Sequence, residues 1–176
     1  MRTIRTKTGV RKLHKEHFPE RARRMQLAFL LQDWEDPYNV GGMFRVADAC
    51  GAAELVLTGG TPQPPHPQIH VTSMGQHRRV SWRQIQKYDE ACRRLKAEGY
   101  HLVAVEIAEG AEHYMEYVYP EKVCLVLGHE GKGVYPSVMK QCDGAVFIPM
   151  AGKGRSLNVH VAAAVVAFEA LLGEGG

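Results

Sequence analysis

Three short stretches of this chain carry the residue types that chemistry needs. Residues 36–45 supply an acid, the amide of Asn39, two adjacent glycines and the cation Arg45. Gly128-His129-Glu130-Gly131-Lys132-Gly133 supplies backbone donors and one carboxylate. Residues 149–158 add two glycines, Lys153, Arg155, the Ser156 hydroxyl and the Asn158 amide. Each follows an apolar run of strand length, and loops at the C-terminal ends of strands converge while the sheet beneath them stays rigid, so the three together describe one ligand site. Neither GxGxxG nor GxxxxGK[ST] is present, so neither a dinucleotide nor a nucleoside triphosphate site follows. Locally, a tight turn accounts for residues 128–133 as well as a ligand contact does, and Ser156 reads equally as the cap of the last helix. The histidines form no HExxH and no compact set with the cysteines, so no catalytic metal is expected, and His129 reads as an ordinary loop position more readily than as a ligand contact.

The elements that must position these loops alternate between strand and helix. Strand-length apolar runs occupy residues 25–31, 54–57, 101–107, 123–127 and 145–148. Helical recurrence marks residues 40–50, where Gly41 and Gly42 weaken the first turn and signal a close approach by backbone or ligand. Ile85, Tyr88, Cys92 and Leu95 give an apolar face to a helix over residues 82–98. Pro62, Pro64, Pro65 and Pro67 predict an irregular loop bearing His66, Gln68 and His70. A last helix, beginning near Ser156, is too apolar to be free in solvent. This order predicts an α/β sheet covered on both faces.

At 176 residues, 45% hydrophobic and 23% charged, the chain suits a single core. Its net charge of +3 hides a division: residues 1–24 hold nine Lys or Arg against Glu16 and Glu20, while the other thirteen face seventeen acids. That reads as a basic arm, residues 1–24, on a mildly acidic body, residues 25–176. Such an arm serves either polyanion binding or solubility. No run approaches 18 apolar residues and the basic N terminus lacks an apolar signal core, so neither membrane spanning nor export is expected, and the cytoplasm is the expected location. Cys50, Cys92, Cys124 and Cys142 show no CxxC pairing and read as packing thiols.

Three motifs in a fixed order carry a resemblance. Asn39-Val40-Gly41-Gly42-Met43-Phe44-Arg45, then Leu125-Val126-Leu127-Gly128-His129-Glu130-Gly131-Lys132-Gly133, then Ile148-Pro149-Met150 with Ser156-Leu157-Asn158-Val159, are similar to the motifs of the TrmH-like (SpoU) branch of the SPOUT superfamily. The likeness spans residues 25–172, and His160 departs from it, because a small polar residue is usual there. It implies a single SPOUT-type α/β domain with a mostly parallel sheet, flanking helices and a C-terminal deep trefoil knot. It also implies a homodimer with residues of both chains in the active site, S-adenosylmethionine as cofactor, and methyl transfer to a ribose 2′-hydroxyl of tRNA or rRNA. Carried over residue by residue, Leu127, Gly128, Ile148, Met150, Ser156 and Leu157 cradle the cofactor, and Val105 or Glu106 lines the same pocket. Arg45 is the implied catalytic residue, with Asn39 organising its loop, Glu130 positioning Arg45 or substrate, and Asn158 supporting the reacting ribose. A shared cofactor fold does not fix the acceptor, so an RNA base methyltransferase and a non-enzymatic RNA-binding module stand as alternatives. Arg78, Arg79, Arg83, Arg93 and Arg94, with Trp82 or Tyr88 for stacking, read either as added RNA surface or as a solvated helix face with Trp82 packed inward.

Overall fold

Strands buried on both faces need apolar residues at every position, and the central runs of this chain meet that demand. In the computed structural model, which describes Thr3 and residues 6–173, they form β1 (Gln26–Gln32), β2 (Glu54–Thr58), β4 (His101–Val105) and β6 (Lys122–Leu127), flanked by β3 (Trp82–Ile85), β5 (Glu112–His113) and β7 (Gly144–Phe147). All pairings are parallel, in the order β3-β2-β1-β6-β4-β7-β5. Along β1 the side chains alternate between two cores. Leu27, Phe29 and Leu31 join the residues of α3 (Pro37–Cys50) and α7 (Val159–Leu172), whereas Ala28 and Leu30 join those of α5 (Tyr88–Ala97) and α6 (Pro136–Met139). Each fully buried Leu or Phe contributes about 1.5–3 kcal/mol, so the sheet and its helices hold the loops at the strand ends firmly.

Three expectations are corrected. Residues 82–85 are not the start of a helix: they form the edge strand β3, paired with β2 from Leu55↔Trp82 to Thr58↔Ile85. The open edge of β2 requires a backbone partner, and Ile85 remains buried as a strand residue. The proline-rich segment does not stay irregular to its end, because Pro67 opens α4 (Pro67–Ser73) at a position where its missing N–H costs nothing, and Ile69 anchors that helix in the core. The final helix begins at Val159 and is capped by Asn158, whose Oδ1 accepts from His160 N at 3.1 Å, so Ser156 is not its cap. The short strand β5 had no apolar run to announce it.

The basic segment forms α1 (Lys7–His17), which buries no residue, and α2 (Glu20–Arg24). The latter rests on the body through buried Ala22 and a 3.1 Å bond donated by the Arg21 guanidinium to Tyr119 O. Arg2 and Arg5 of the arm, and residues 174–176 of the body, lie outside the described residues. All four cysteines are free thiols, and burial pushes Cys50 up to about 12 and Cys92 to about 11, which suits packing. Among the described residues no helix is long and apolar enough to cross a membrane.

Candidate active site

The neighbours β6, β4 and β7 end side by side, and the loops that leave them enclose a cavity of about 480 Å³, within the range of roughly 300–1,000 Å³ typical of small-molecule sites. Val105 and Glu106 line it from the end of β4; Leu127, Gly128 and Glu130 from β6 and its loop; Ile148, Met150, Ser156, Leu157 and Asn158 from the segment after β7; and Asn39 from α3. Every residue expected to act in catalysis or to hold the cofactor thus lines the cavity except Arg45, which is exposed on α3.

Gly128 is where close approach is obligatory. A Cβ there would stand 2.2 Å from the carbonyl carbon of Gly133 and 2.3 Å from Val134 N. The segment is both a tight turn and a cavity wall: His129 N donates to Gly133 O at 3.1 Å, Gly133 N returns to His129 O at 2.9 Å, and Gly133 takes φ 66°. Of the two readings of His129, the structure favours a place at the cavity. The residue is 6% exposed and lines the cavity, and its Nδ1 accepts from Gly131 N at 3.0 Å, so the ring proton sits on Nε2, 3.3 Å from Glu35 Oε1. Glu106 similarly braces the loop, accepting from Val134 N and Ile107 N at 2.9 Å each.

One amide connects all three loops. Asn39 lies on the first turn of α3, which starts with Pro37 and is capped by Asp36 accepting from Tyr38 N at 2.8 Å. Its Nδ2 donates to Glu130 Oε1 at 3.2 Å, which turns its Oδ1 toward Asn158 Nδ2 at 2.9 Å and His160 Nδ1 at 3.2 Å. Glu130 also accepts from Glu35 N at 3.1 Å and Asp36 N at 3.2 Å. Glu130 therefore reaches Asn39 and the entry to α3, not Arg45. Burial holds the His160 imidazole below its ordinary value of 6.5, with the nearby Arg45 charge acting in the same direction and Asp36 opposing it.

The lining suits a ligand with an apolar or heteroaromatic portion and polar groups. Met150 and Leu157 leave 37% of their surface uncovered at the mouth, while Glu106, Ser156 and Asn158 offer polar contacts and Arg155 a positive charge. Among the described residues no group of three or more His, Cys, Asp or Glu is placed to hold a metal. Of the arginines read as RNA contacts, Arg83 is committed to Glu54 and Glu98 at 3.0 and 2.6 Å, Arg94 pairs with Glu90, and Arg79 with Asp48 at 3.4 Å. Arg78 and Arg93 stay exposed, and Trp82 packs partly buried against the core.

Residues 26–168 match the SpoU rRNA Methylase family. The chain belongs to that family. A tRNA (guanosine(18)-2′-O)-methyltransferase of Thermus thermophilus is 37% identical to this SpoU-family chain over 153 residues, 85% of this chain and 76% of that protein. The 23S rRNA (guanosine(2553)-2′-O)-methyltransferase RlmP of Bacillus subtilis is 33% identical over 155 residues, 86% of this chain and 61% of its own length. Among solved structures, the SpoU methyltransferase AviRb from Streptomyces viridochromogenes in complex with AdoMet superposes with a TM-score of 0.77 at 26% identity, covering 83% of this chain and 59% of that one.

Proposed function

We propose that this SpoU-family chain transfers a methyl group from S-adenosylmethionine to a ribose 2′-hydroxyl in tRNA or rRNA, acting in the cytoplasm as a homodimer with a C-terminal deep trefoil knot. The observation that carries the reading is the single cavity on which the loops after β4, β6 and β7 converge with Asn39. The relatives described above support ribose as the acceptor and divide between tRNA and rRNA as substrate.

When bound, the cofactor supplies an electrophilic methyl group on a sulfonium. The backbone of Leu127 and Gly128, the side chains of Ile148, Met150 and Leu157, and the Ser156 hydroxyl cradle it, with Val105 and Glu106 completing the wall. The apolar side chains among them exclude water. Glu130 holds Asn39, Asn39 holds Asn158, and Asn158 supports the reacting ribose, so the chain's main contribution is alignment. Arg45 is a donor-only cation with a reference pKa of about 12.5 or more, which suits it to orient the nucleophile and a substrate phosphate, not to take a proton.

Two structural features support the assembly. Val161, Phe168 and Leu172 are exposed at helical spacing along α7, an apolar stripe that a second copy would cover. From β4 the chain runs out past β7 to β5 and returns to β6, and from β6 it crosses β4 to reach β7. Such crossed connections are rare in simple sheets and are what a knotted C terminus needs.

The test is methyl transfer from labelled cofactor to purified tRNA and rRNA, followed by nucleoside analysis. Ribose-methylated nucleosides are expected. Methylated bases would reject the acceptor, and binding without transfer would favour an RNA-binding module. In parallel, Arg45→Ala is expected to lose about 100-fold in rate, equivalent to about 3 kcal/mol, while still binding cofactor; full activity would remove Arg45 from the site.

A further inference from the structure

His160 lies immediately after the third motif and has no role in the function proposed above. Its ring nevertheless bonds to one of the implied site residues, Asn39. The orientation of the Asn39 amide is set by Glu130, which can only accept from it, so Asn39 Oδ1 is the atom that faces His160 Nδ1 at 3.2 Å. That oxygen has no hydrogen to give, so the imidazole proton must sit on Nδ1. In the neutral ring Nε2 then carries a free lone pair.

The direction of that lone pair follows from α3. At 3.6 residues per turn, Gly42 lies about 60° around the helix from Asn39 on one side and about 60° from Arg45 on the other. The imidazole packs over Gly42: a Cβ at that position would be 2.9 Å from Cδ2 and 3.0 Å from Nε2 of His160. The ring therefore runs from the cavity wall at Asn39 toward the helix face that bears Arg45. His160 is only partly buried, and among the described residues its ring is hydrogen-bonded at Nδ1 alone, which leaves Nε2 for an incoming donor. The charged groups facing the ring are Asp36 and Arg45, both from α3 and its cap.

We propose that His160 is a positioning residue for methyl transfer: its Nδ1–H fastens Asn39, and its Nε2 accepts a hydrogen bond from the Arg45 guanidinium, orienting that cation toward the RNA. The proposal rests on the ribose-methylation reading of the site. It requires a neutral ring, because an imidazolium offers no acceptor and repels a guanidinium. Burial and the neighbouring Arg45 both favour the neutral form.

His160→Asn separates the two functions of the ring, since an asparagine amide can retain a donor near the Nδ1 position and has nothing at Nε2. In single-turnover transfer with the full-length protein, H160N is expected to lose about 100-fold in rate, the size of effect that misplacing a reacting or orienting group by about 1 Å produces. Cofactor affinity should be unchanged, and the fall in wild-type rate on acidification, as the ring protonates at a pH below the ordinary imidazole value, should disappear. In an Arg45→Ala background, H160N should cost nothing further, because it acts through Arg45. A near-wild-type rate for H160N, or losses that multiply in the double variant, would overturn the proposal. An independent readout needs no variant: nitrogen-15 NMR of the cofactor-loaded protein near pH 7.5 should show the Nδ1–H tautomer at His160, and the Nε2–H tautomer would overturn it even if H160N failed to fold. Wild-type protein that methylates bases, or nothing, would remove the underlying functional reading, an outcome distinct from H160N matching an active wild type.

Discussion

Gly128→Ala tests whether the turn after β6 is the structural centre of the site. The added Cβ would stand 2.2 Å from Gly133 C and 2.3 Å from Val134 N, both backbone atoms that cannot rotate away. Relieving the clash requires the two arms of the turn to separate by about 1 Å, which strains a well-packed region by about 1–3 kcal/mol. The movement acts on four bonds: His129 N to Gly133 O at 3.1 Å, Gly133 N to His129 O at 2.9 Å, Val134 N to Glu106 Oε2 at 2.9 Å and Tyr135 N to Gln32 Oε1 at 2.8 Å. If two of them break at a net cost of about 1 kcal/mol each, the variant loses about 3–5 kcal/mol in all. Urea unfolding followed by circular dichroism measures that loss, and calorimetric titration with S-adenosylmethionine should show affinity at least about tenfold weaker, or about 1.4 kcal/mol. Gly131→Ala is the internal control, because its Cβ would meet nothing closer than His129 at 3.9 Å. It should stay within about 0.5 kcal/mol of wild type. If G128A matches G131A in stability and cofactor affinity, the turn is not under the constraint described.

Three further outcomes are expected. Glu130→Gln removes one of the two oxygens that hold Glu35 N, Asp36 N and Asn39, so transfer should fall by roughly 10–100-fold through misplaced Asn39; an unchanged single-turnover rate would exclude that function. Asp33 sits at φ 55° with its carboxyl held below the ordinary 3.8 first by the Gly60 N–H, against burial, and then by the Tyr135 hydroxyl. Because its folded value lies below the unfolded one, its stabilisation is present above pH 3.8 and is lost as pH falls through the folded value. Asp33→Asn tolerates the left-handed backbone but lacks the charge, so the urea-unfolding gap from wild type should be widest near neutrality and close under acid; a constant gap would contradict the assignment. Replacing Lys7, Arg11, Lys12 and Lys15 of α1 with Gln disturbs no buried residue. It should weaken RNA binding and flatten its logarithmic salt dependence by up to about 3, whereas an unaltered slope would show that the arm does not touch phosphates.

Most of the parallel sheet was legible because strands buried on both faces need continuous apolar runs, and residues 25–31 and 123–127 are such runs. Where one pattern fitted two structures, the tertiary setting decided. Ile85 continues the apolar face of α5, but the open edge of β2 draws Trp82–Ile85 into a strand. Pro67 looked like a loop residue because proline ends helices more visibly than it begins them, and only the burial of Ile69 shows a helix there. The site was read through motif order, and the connections between its members were not legible that way. Spacing in sequence could not reveal that Glu130 bonds to Asn39, 91 residues away, or that His129 faces Glu35. The four-residue gap between strand and helix at 32–37 becomes informative only once the sheet brings the β6 loop against it.

The position of Arg45 carries the remaining argument. Asn39, Glu130 and Asn158 are joined by direct hydrogen bonds and face the cavity, while Arg45 lies about 9 Å farther along α3 by helix rise, exposed on another face. A rigid inner network beside an exposed outer cation suits the proposed reaction, in which a small cofactor is held and a large RNA product is released. The inner residues can be ordered before RNA arrives. On the function proposed above, the outer cation would gain its full interaction when phosphate and ribose displace the water around it. The charge distribution agrees with this arrangement, because the seventeen acids and thirteen cations beyond residue 24 leave the body too acidic to draw RNA by net charge alone. On the proposed function, attraction would come from local cations such as Arg45, Lys153 and Arg155 and from the basic α1, so RNA binding is expected to be more sensitive to salt than cofactor binding.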